Sequence, residues 1–300
     1  MDYYKKIKNE LLNNEINRKV KSYSINKNDL TTYYNVGKLL IEAQGGEKRA
    51  KYGNGLIKDY STRLTRELGK GYSVSNLKRM RQFNISIKNG AHFAHQLSWS
   101  HYQVLLSLKD VNIINYYIDL TINQRLTRDQ LRERIKNKEY ERLPYETKER
   151  LISNKNESNI TDYIKDPIII RNKNKYDSIS EKVLHSLIVN DIESFLNELG
   201  NGFTFVGSEY KIKIGNSYNY TDLLLFNYVY NAFVVVELKV TELKKEHIGQ
   251  IEIYMNYVDK NIKKDIHDKT IGLIIVRKNN KFVLEYSSDK RIEAREYIII

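Results

Sequence analysis

Tyr220-Thr221-Asp222-Leu223-Leu224-Leu225-Phe226 and, one turn later, Phe233-Val234-Val235-Val236-Glu237-Leu238-Lys239 are the two stretches that decide the fold of this chain. Both are short apolar runs rich in branched residues and bounded by turn-forming polar residues, which reads as neighbouring β-strands. Working outward, Phe203 to Ile214, Tyr220 to Phe226 and Ala232 to Val240 form a meander of three strands. Gly215-Asn216-Ser217 makes the first turn and Asn227 to Asn231 the second. A helix is expected upstream from Ser178 to Leu199, stopped by Gly200-Asn201-Gly202. Downstream, Glu242 to Asp259 is expected to be helical, and Ile271 to Val276 has the unbroken apolar character of a buried strand. Phe282 to Tyr286 reads as one more strand after a polar turn. The order is α/β: a mixed sheet with helices on its faces.

Three charges interrupt these apolar strands: Asp222, Glu237 and Lys239. Placing a charge there is costly unless something compensates for the lost water. Residues two apart on a strand share a face, so Glu237 and Lys239 point the same way, and in a meander Asp222 can reach the same spot. Two carboxylates converging in an apolar setting repel, and a divalent cation resolves the repulsion. Mg²⁺ suits such a site because it is hard, keeps several waters and binds through one or two carboxylates plus phosphate oxygens. Mn²⁺ is expected to substitute. The arrangement fits phosphodiester hydrolysis, with Lys239 orienting the attacking water or stabilising the developing charge. A buried ion pair with no chemistry is the competing reading.

Asp222, fourteen intervening residues and then Glu237-Leu238-Lys239 resemble the PD-(D/E)XK nuclease signature, with Thr221 where the nominal proline would stand. The following Gln250-Ile251-Glu252-Ile253-Tyr254 is similar to the QxxxY element of the RecB-like branch, and its two end residues share one helix face. More narrowly, the chain resembles the bacterial YhcG-type family, a helical N-terminal domain of uncharacterised function ahead of a PD-(D/E)XK nuclease domain. The matching stretches are Ala50-Lys51-Tyr52-Gly53, Gly71-Tyr72-Ser73 through Met80-Arg81-Gln82-Phe83, Gln96 to Tyr102, Phe195 to Gly200, and Phe233 to Lys239. The resemblance implies a restriction-endonuclease-like fold and a metal-dependent DNA nuclease, often encoded near restriction-modification or other defence genes whose products are candidate partners. It also implies that Asp222 and Glu237 are metal ligands with the backbone carbonyl of Leu238, that Lys239 assists the catalytic base, and that Gln250 and Tyr254 are supporting contacts. Such nucleases commonly act as dimers, and they often draw another acidic residue from the helix before the sheet. The apolar stripe Leu184, Ile188, Ile192, Phe195, Leu199 favours Glu181 over Glu198 for that part, with Glu193 facing solvent. A capping or surface role for Glu181 stays open. Relatives of this type continue beyond Glu296-Tyr297, so the strand edge near Ile298-Ile299-Ile300 is expected to be less covered.

The first half has a different character. The chain has 300 residues and a net charge of +13. Residues 1–150 carry 29 Lys and Arg against 16 Asp and Glu, while residues 151–300 carry 21 of each. A basic module beside a neutral one implies a polyanion-facing domain joined to a domain with another task. Helical spacing dominates up to about Leu151. One helix around Tyr33 to Ile41 is ended by Gly45-Gly46, and Leu56, Tyr60, Leu64 and Leu68 mark another. Gly69-Lys70-Gly71-Tyr72 breaks that helix, and Ser73 or Ser75 can cap a third through Phe83. This is the outline of a helix-turn-helix, with Lys70, Lys78, Arg79 and Arg81 as candidate DNA contacts. A further basic helix is expected from Thr127 to near Leu143, and Trp99 is expected to anchor the core between helices. Polar runs around Asp166-Pro167 place a linker at 152–177 between domains 1–151 and 178–300.

Other classes are excluded or demoted. The absence of cysteine removes disulfides, thiolate zinc sites and a cysteine nucleophile, and fits a cytoplasmic location. No apolar run approaches the roughly 18 residues of a membrane helix, and Met1 to Glu10 lacks a secretory apolar region, so no membrane partner is expected. Gly69-Lys70-Gly71 lacks the spacing of a phosphate loop. His92 and His95 lack partners for zinc, and His247, three residues before Gln250, is a secondary candidate for approaching phosphate. The expected function is thus a Mg²⁺-dependent DNA endonuclease in defence, restriction or repair. The alternatives are a non-catalytic DNA-binding subunit with a vestigial nuclease fold, and a Holliday-junction resolvase.

Overall fold

The computed structural model describes residues 2–20, 25–47, 54–153 and 160–300. Ala50-Lys51-Tyr52-Gly53 and the polar run 154–159 lie outside the described residues. The chain divides into two compact units, Met1–Tyr140 and Glu141–Ile300.

The first unit is helical: α1 (Tyr3–Val20), α2 (Ile25–Ala43), α3 (Asn54–Leu68), α4 (Val74–Lys88), α5 (Trp99–Leu105), α6 (Val111–Gln124) and α7 (Arg128–Lys136). Ile7, Leu11, Val36, Leu40, Ile57, Leu64, Leu77 and Met80 form one of its cores. Gly37 is where α2 and α4 approach most closely. A Cβ there would lie 2.1 Å from the carbonyl oxygen of Met80, so only glycine fits. Ser73 supplies the N-cap of α4 by accepting from the Asn76 N–H. Gly45 and Gly46 follow α2 with positive φ, as expected. Trp99 is half-buried against Tyr33 and Phe83, with ring centroids 4.7 and 5.6 Å away. The basic helix is shorter than the sequence suggests: α7 ends at Lys136, and Asn137 closes it.

The second unit contains α8 (Tyr145–Ser153), β1 (Ile168–Ile170), α9 (Glu181–Asn190), α10 (Ile192–Leu199), β2 (Phe203–Ile214), β3 (Ser217–Asn227), β4 (Ala232–Glu242), α11 (Lys245–Asn261), β5 (Ile271–Lys278), α12 (Lys281–Glu285) and β6 (Ile292–Ile299). Six strands form one sheet in the order β1-β6-β5-β4-β3-β2. The meander β2-β3-β4 is antiparallel, and β4-β5-β6-β1 is parallel. The sheet is therefore mixed and flanked by helices, as the sequence implies. Leu223, Leu225, Val234 and Val236 face a core shared with Leu184, Leu187, Phe195 and Leu199 of α9 and α10. Leu224, Val235, Ile274 and Val276 face the opposite core with Ile251, Met255 and Val258 of α11. Gly272 lets α11 sit close to β5: a Cβ there would meet the Met255 sulfur at 2.5 Å.

Four expectations are corrected. The expected linker is not one throughout, because Ile168–Ile170 pairs with β6 and all three isoleucines are buried. The helix upstream of the meander breaks at Asp191, whose φ and ψ of −130° and 46° are non-helical, giving α9 and α10. Phe282 to Tyr286 is not a strand but centres on the one-turn helix α12, with Phe282 and Tyr286 exposed. The last strand is no bare edge, since β6 runs between β5 and β1.

Candidate active site

The site lies where two neighbouring strands part. The β3–β4 ladder ends at the pair Leu223–Val236. Beyond it, Glu237, Leu238 and Lys239 stay paired with Ile274, Ile275 and Val276 of β5. Their other side has lost β3, so backbone groups there need new partners. Side chains of β3 supply them. Thr221 Oγ donates to the Val236 carbonyl at 3.1 Å, and Asp222 Oδ2 accepts the Leu238 N–H at 2.7 Å. On the other side of Asp222, His185 Nε2 donates to its backbone carbonyl at 3.3 Å from α9. The sequence reading missed His185. Its position one helical turn after Glu181 was the available signal.

Glu237 is the centre of the cluster, with 2% of its surface exposed. Its Oε2 receives Lys239 Nζ at 3.3 Å and Gln250 Nε2 at 3.1 Å. Gln250 Nε2 also reaches Tyr254 Oη at 3.2 Å, so the two residues one helical turn apart on α11 act on the same spot. Glu237 Oε1 is buried and, among the described residues, has no hydrogen-bond partner; the nearby Thr221 hydroxyl is committed to the Val236 carbonyl. Burial, followed by the charge of Asp222, pushes Glu237 up to about 7 despite the nearby Lys239. Burial also raises Asp222, against the Leu238 N–H and the charges of Lys239 and His185. His247 is lowered, chiefly by burial and then by Lys239. Two carboxyls raised by burial, Glu237 further by the charge of Asp222 and Asp222 by that of Glu181, stand beside an ammonium and form a site that gains from added positive charge.

Among the described residues, no three His, Asp or Glu side chains gather at metal-binding range. A hard divalent ion asks for less. Two carboxylates, a carbonyl and several waters suffice for Mg²⁺. The unpartnered Glu237 Oε1 is the kind of acceptor such an ion would satisfy, and the donor set of Asp222, Glu237 and the Leu238 carbonyl fits it.

The two helix glutamates part company. Glu198 is buried and bound to Arg142 through both oxygens at 2.7 and 3.1 Å, and its Oε2 also accepts the Ile169 N–H at 3.3 Å. It is a structural anion that ties α10 to β1. Glu181 is the first residue of α9, is exposed, and contributes to the field at Asp222 and His247.

In the helical unit, Lys70 is exposed in the turn between α3 and α4, and Lys78 and Arg79 are exposed on α4. Arg81 corrects the expectation. Its guanidinium donates to Gln44 Oε1 at 2.7 Å and to the Glu47 carbonyl at 3.1 Å, which commits it to the end of α2. Among the described residues, no helix is long and apolar enough to cross a membrane.

Residues 161–299 match the YhcG PDDEXK nuclease domain, and residues 9–142 match the DUF1016 N-terminal domain. A curated relative, "Putative nuclease YhcG" of Escherichia coli (strain K12), is 27% identical over 297 residues, covering 84% of this chain and 77% of the relative. Two solved structures give partial matches. A repair endonuclease from Pyrococcus abyssi is 17% identical, with a TM-score of 0.29 over 41% of this chain and 48% of that one. The EndoMS–dsDNA2 complex is 20% identical, with a TM-score of 0.28 over 42% and 48%. In each case the match spans about half of the solved chain. The two domain matches stand one after the other along the sequence, so the chain has the layout of a DUF1016 N-terminal domain followed by a YhcG PDDEXK nuclease domain and is homologous to the putative nuclease YhcG.

Proposed function

We propose that this protein is a Mg²⁺-dependent DNA endonuclease whose site is the fork between β3 and β4. The observation that carries the reading is the buried Glu237, with one oxygen held by Lys239 and Gln250 and the other unpartnered, at the point where Asp222 caps the broken ladder. A divalent ion held by Asp222, Glu237 and the Leu238 carbonyl would polarise the scissile phosphate and acidify a water. Lys239 would place an ammonium where it can orient the attacking water and stabilise the charge that develops on the phosphoryl oxygens. Gln250, itself bonded to Tyr254 Oη, holds the Glu237 carboxylate. Glu181, at the start of α9, is the proposed additional acid, and Mn²⁺ is expected to replace Mg²⁺.

The N-terminal unit carries 26 Lys and Arg against 13 Asp and Glu through residue 140, so the whole net charge of the chain lies there. We assign it DNA attachment through Lys70, Lys78 and Arg79, by the electrostatics that dominate nucleic-acid affinity. A role in restriction, defence or repair rests on family resemblance alone.

The test uses supercoiled plasmid with Mg²⁺. Wild type should nick or linearise it, and Asp222→Ala and Lys239→Ala should not. DNA shifted but uncut by all three proteins would replace this reading with that of a binding subunit. Cleavage confined to four-way junctions would replace it with that of a resolvase.

A further inference from the structure

The β2–β3 hairpin continues past the point where β4 leaves it. The β3–β4 ladder stops at Leu223, but β2 and β3 stay paired to Ile214–Ser217. This two-stranded ribbon extends roughly 20 Å beyond the fork at about 3.3 Å per residue. One side is anchored: Ile212 is fully buried, and Tyr210 packs against the core under α11. Lys211 lies directly opposite Tyr220, and Lys213 directly opposite Tyr218, so these four side chains share a face. All four are exposed. The Lys211 ammonium lies 3.8 Å from the centre of the Tyr218 ring, which holds the pair together without burying either residue. Among the described residues, no carboxylate forms an ion pair with Lys211 or Lys213.

Exposed phenols interleaved with ammoniums are the side chains that stack on unpaired bases and track a phosphate backbone. Their placement points the same way. Tyr220 is two residues from Asp222 on the same strand, roughly 7 Å, and Tyr218 roughly 13 Å. Consecutive bases in a stacked strand lie about 3.4 Å apart, so a strand on this face would enter the fork within a few nucleotides. We propose that the ribbon is a stacking arm for an unpaired DNA strand, and that the nuclease acts on DNA carrying a single-stranded segment at the point of cleavage. The packing suits this task, because Ile212 and Tyr210 anchor one face of the ribbon while Tyr218 and Tyr220 stay exposed on the other.

This inference rests on the proposed nuclease reading for its choice of DNA, so the experiment separates the two. Full-length protein in EDTA is titrated into a labelled blunt duplex and into the same duplex carrying an unpaired arm, with anisotropy as the readout. Wild type should prefer the armed duplex. Tyr218→Ala and Tyr220→Ala should each weaken that binding about tenfold while changing blunt-duplex binding less than about twofold. Tyr218→Phe and Tyr220→Phe keep the π-face and should bind as wild type. The Lys211→Ala/Lys213→Ala pair should lower the salt slope for armed DNA by about 0.7 per lysine. Equal affinity of the alanine variants for armed DNA overturns the proposal, as does equal loss on both DNAs. Cleavage of the armed duplex in Mg²⁺ decides the nuclease reading separately: a wild type that cuts alongside alanine variants that bind normally sinks the arm alone. A wild type that never cuts, with the tyrosine effects intact, sinks the nuclease alone.

Discussion

Asp222 Oδ2 accepts the backbone N–H of Leu238 at 2.7 Å, so the carboxylate next to Glu237 also ends the β3–β4 ladder. Its two oxygens can divide the work, one fixed by the backbone and one free for an ion. Asp222→Asn keeps an acceptor for Leu238 and removes the charge. It should fold like wild type and show no Mg²⁺-dependent cleavage. Asp222→Ala also leaves the Leu238 N–H without its acceptor, which costs about 1–3 kcal/mol. Chemical denaturation of the two variants should separate these effects.

Glu237 makes the ion-free protein sensitive to base. Its carboxyl is pushed up to about 7 in the fold, against roughly 4.3 in an unfolded chain. A carboxyl raised by folding is held best when protonated, so its destabilising effect grows as the pH climbs from the unfolded value to the folded one. Glu237→Gln should therefore melt higher than wild type at about pH 8 in EDTA, and the difference should vanish near pH 4. Adding Mg²⁺ should raise the melting temperature of wild type and leave the variant unmoved.

Glu181 and Glu198 should fail in opposite ways. Glu198→Ala takes the carboxylate from the half-buried Arg142 guanidinium, which also donates to the Pro167 carbonyl, and frees the Ile169 N–H; loss of one partner from a buried pair costs about 3–5 kcal/mol. Glu181→Ala removes an exposed side chain and should leave stability within about 0.5 kcal/mol of wild type. Cleavage should fall in Glu181→Ala at full folding. In Glu198→Ala, the folded fraction should cut normally.

The basic helix makes a separate prediction. Charge reversal by Lys78→Glu and Arg79→Glu should weaken duplex affinity and flatten its dependence on salt, as read by anisotropy. Arg81→Ala should instead lower the melting temperature, because its contacts hold the end of α2.

The parts of the site that were legible in the sequence are those governed by local periodicity. Glu237 and Lys239 share a face because strands alternate, and Gln250 and Tyr254 share one because helices turn in under four residues. Asp222 became legible once the turn between its strand and that of Glu237 was short enough for a hairpin. Contacts between distant residues were not legible. Arg142 meets Glu198 across 56 positions, and Arg81 meets Gln44 across 37. The three residues of β1 are too short to carry a pattern, and only pairing with β6 makes them a strand. Phe282 to Tyr286 has a strand's composition, yet no open ladder remains for it between β5 and β6. Its backbone closes on itself instead.

The placement of β6 between β5 and β1 also bears on biosynthesis. During translation, β2, β3 and β4 emerge in sequence and can zip locally, whereas β1 waits more than a hundred residues for its neighbour. Until Ile292–Ile299 leaves the ribosome, β1 and β5 both offer unpaired edges of isoleucine and valine, the kind of surface that recruits foreign strands. A nascent chain stalled or clipped ahead of Ile292 would accordingly be a seed for aggregation, even with Asp222, Glu237 and Lys239 already synthesised.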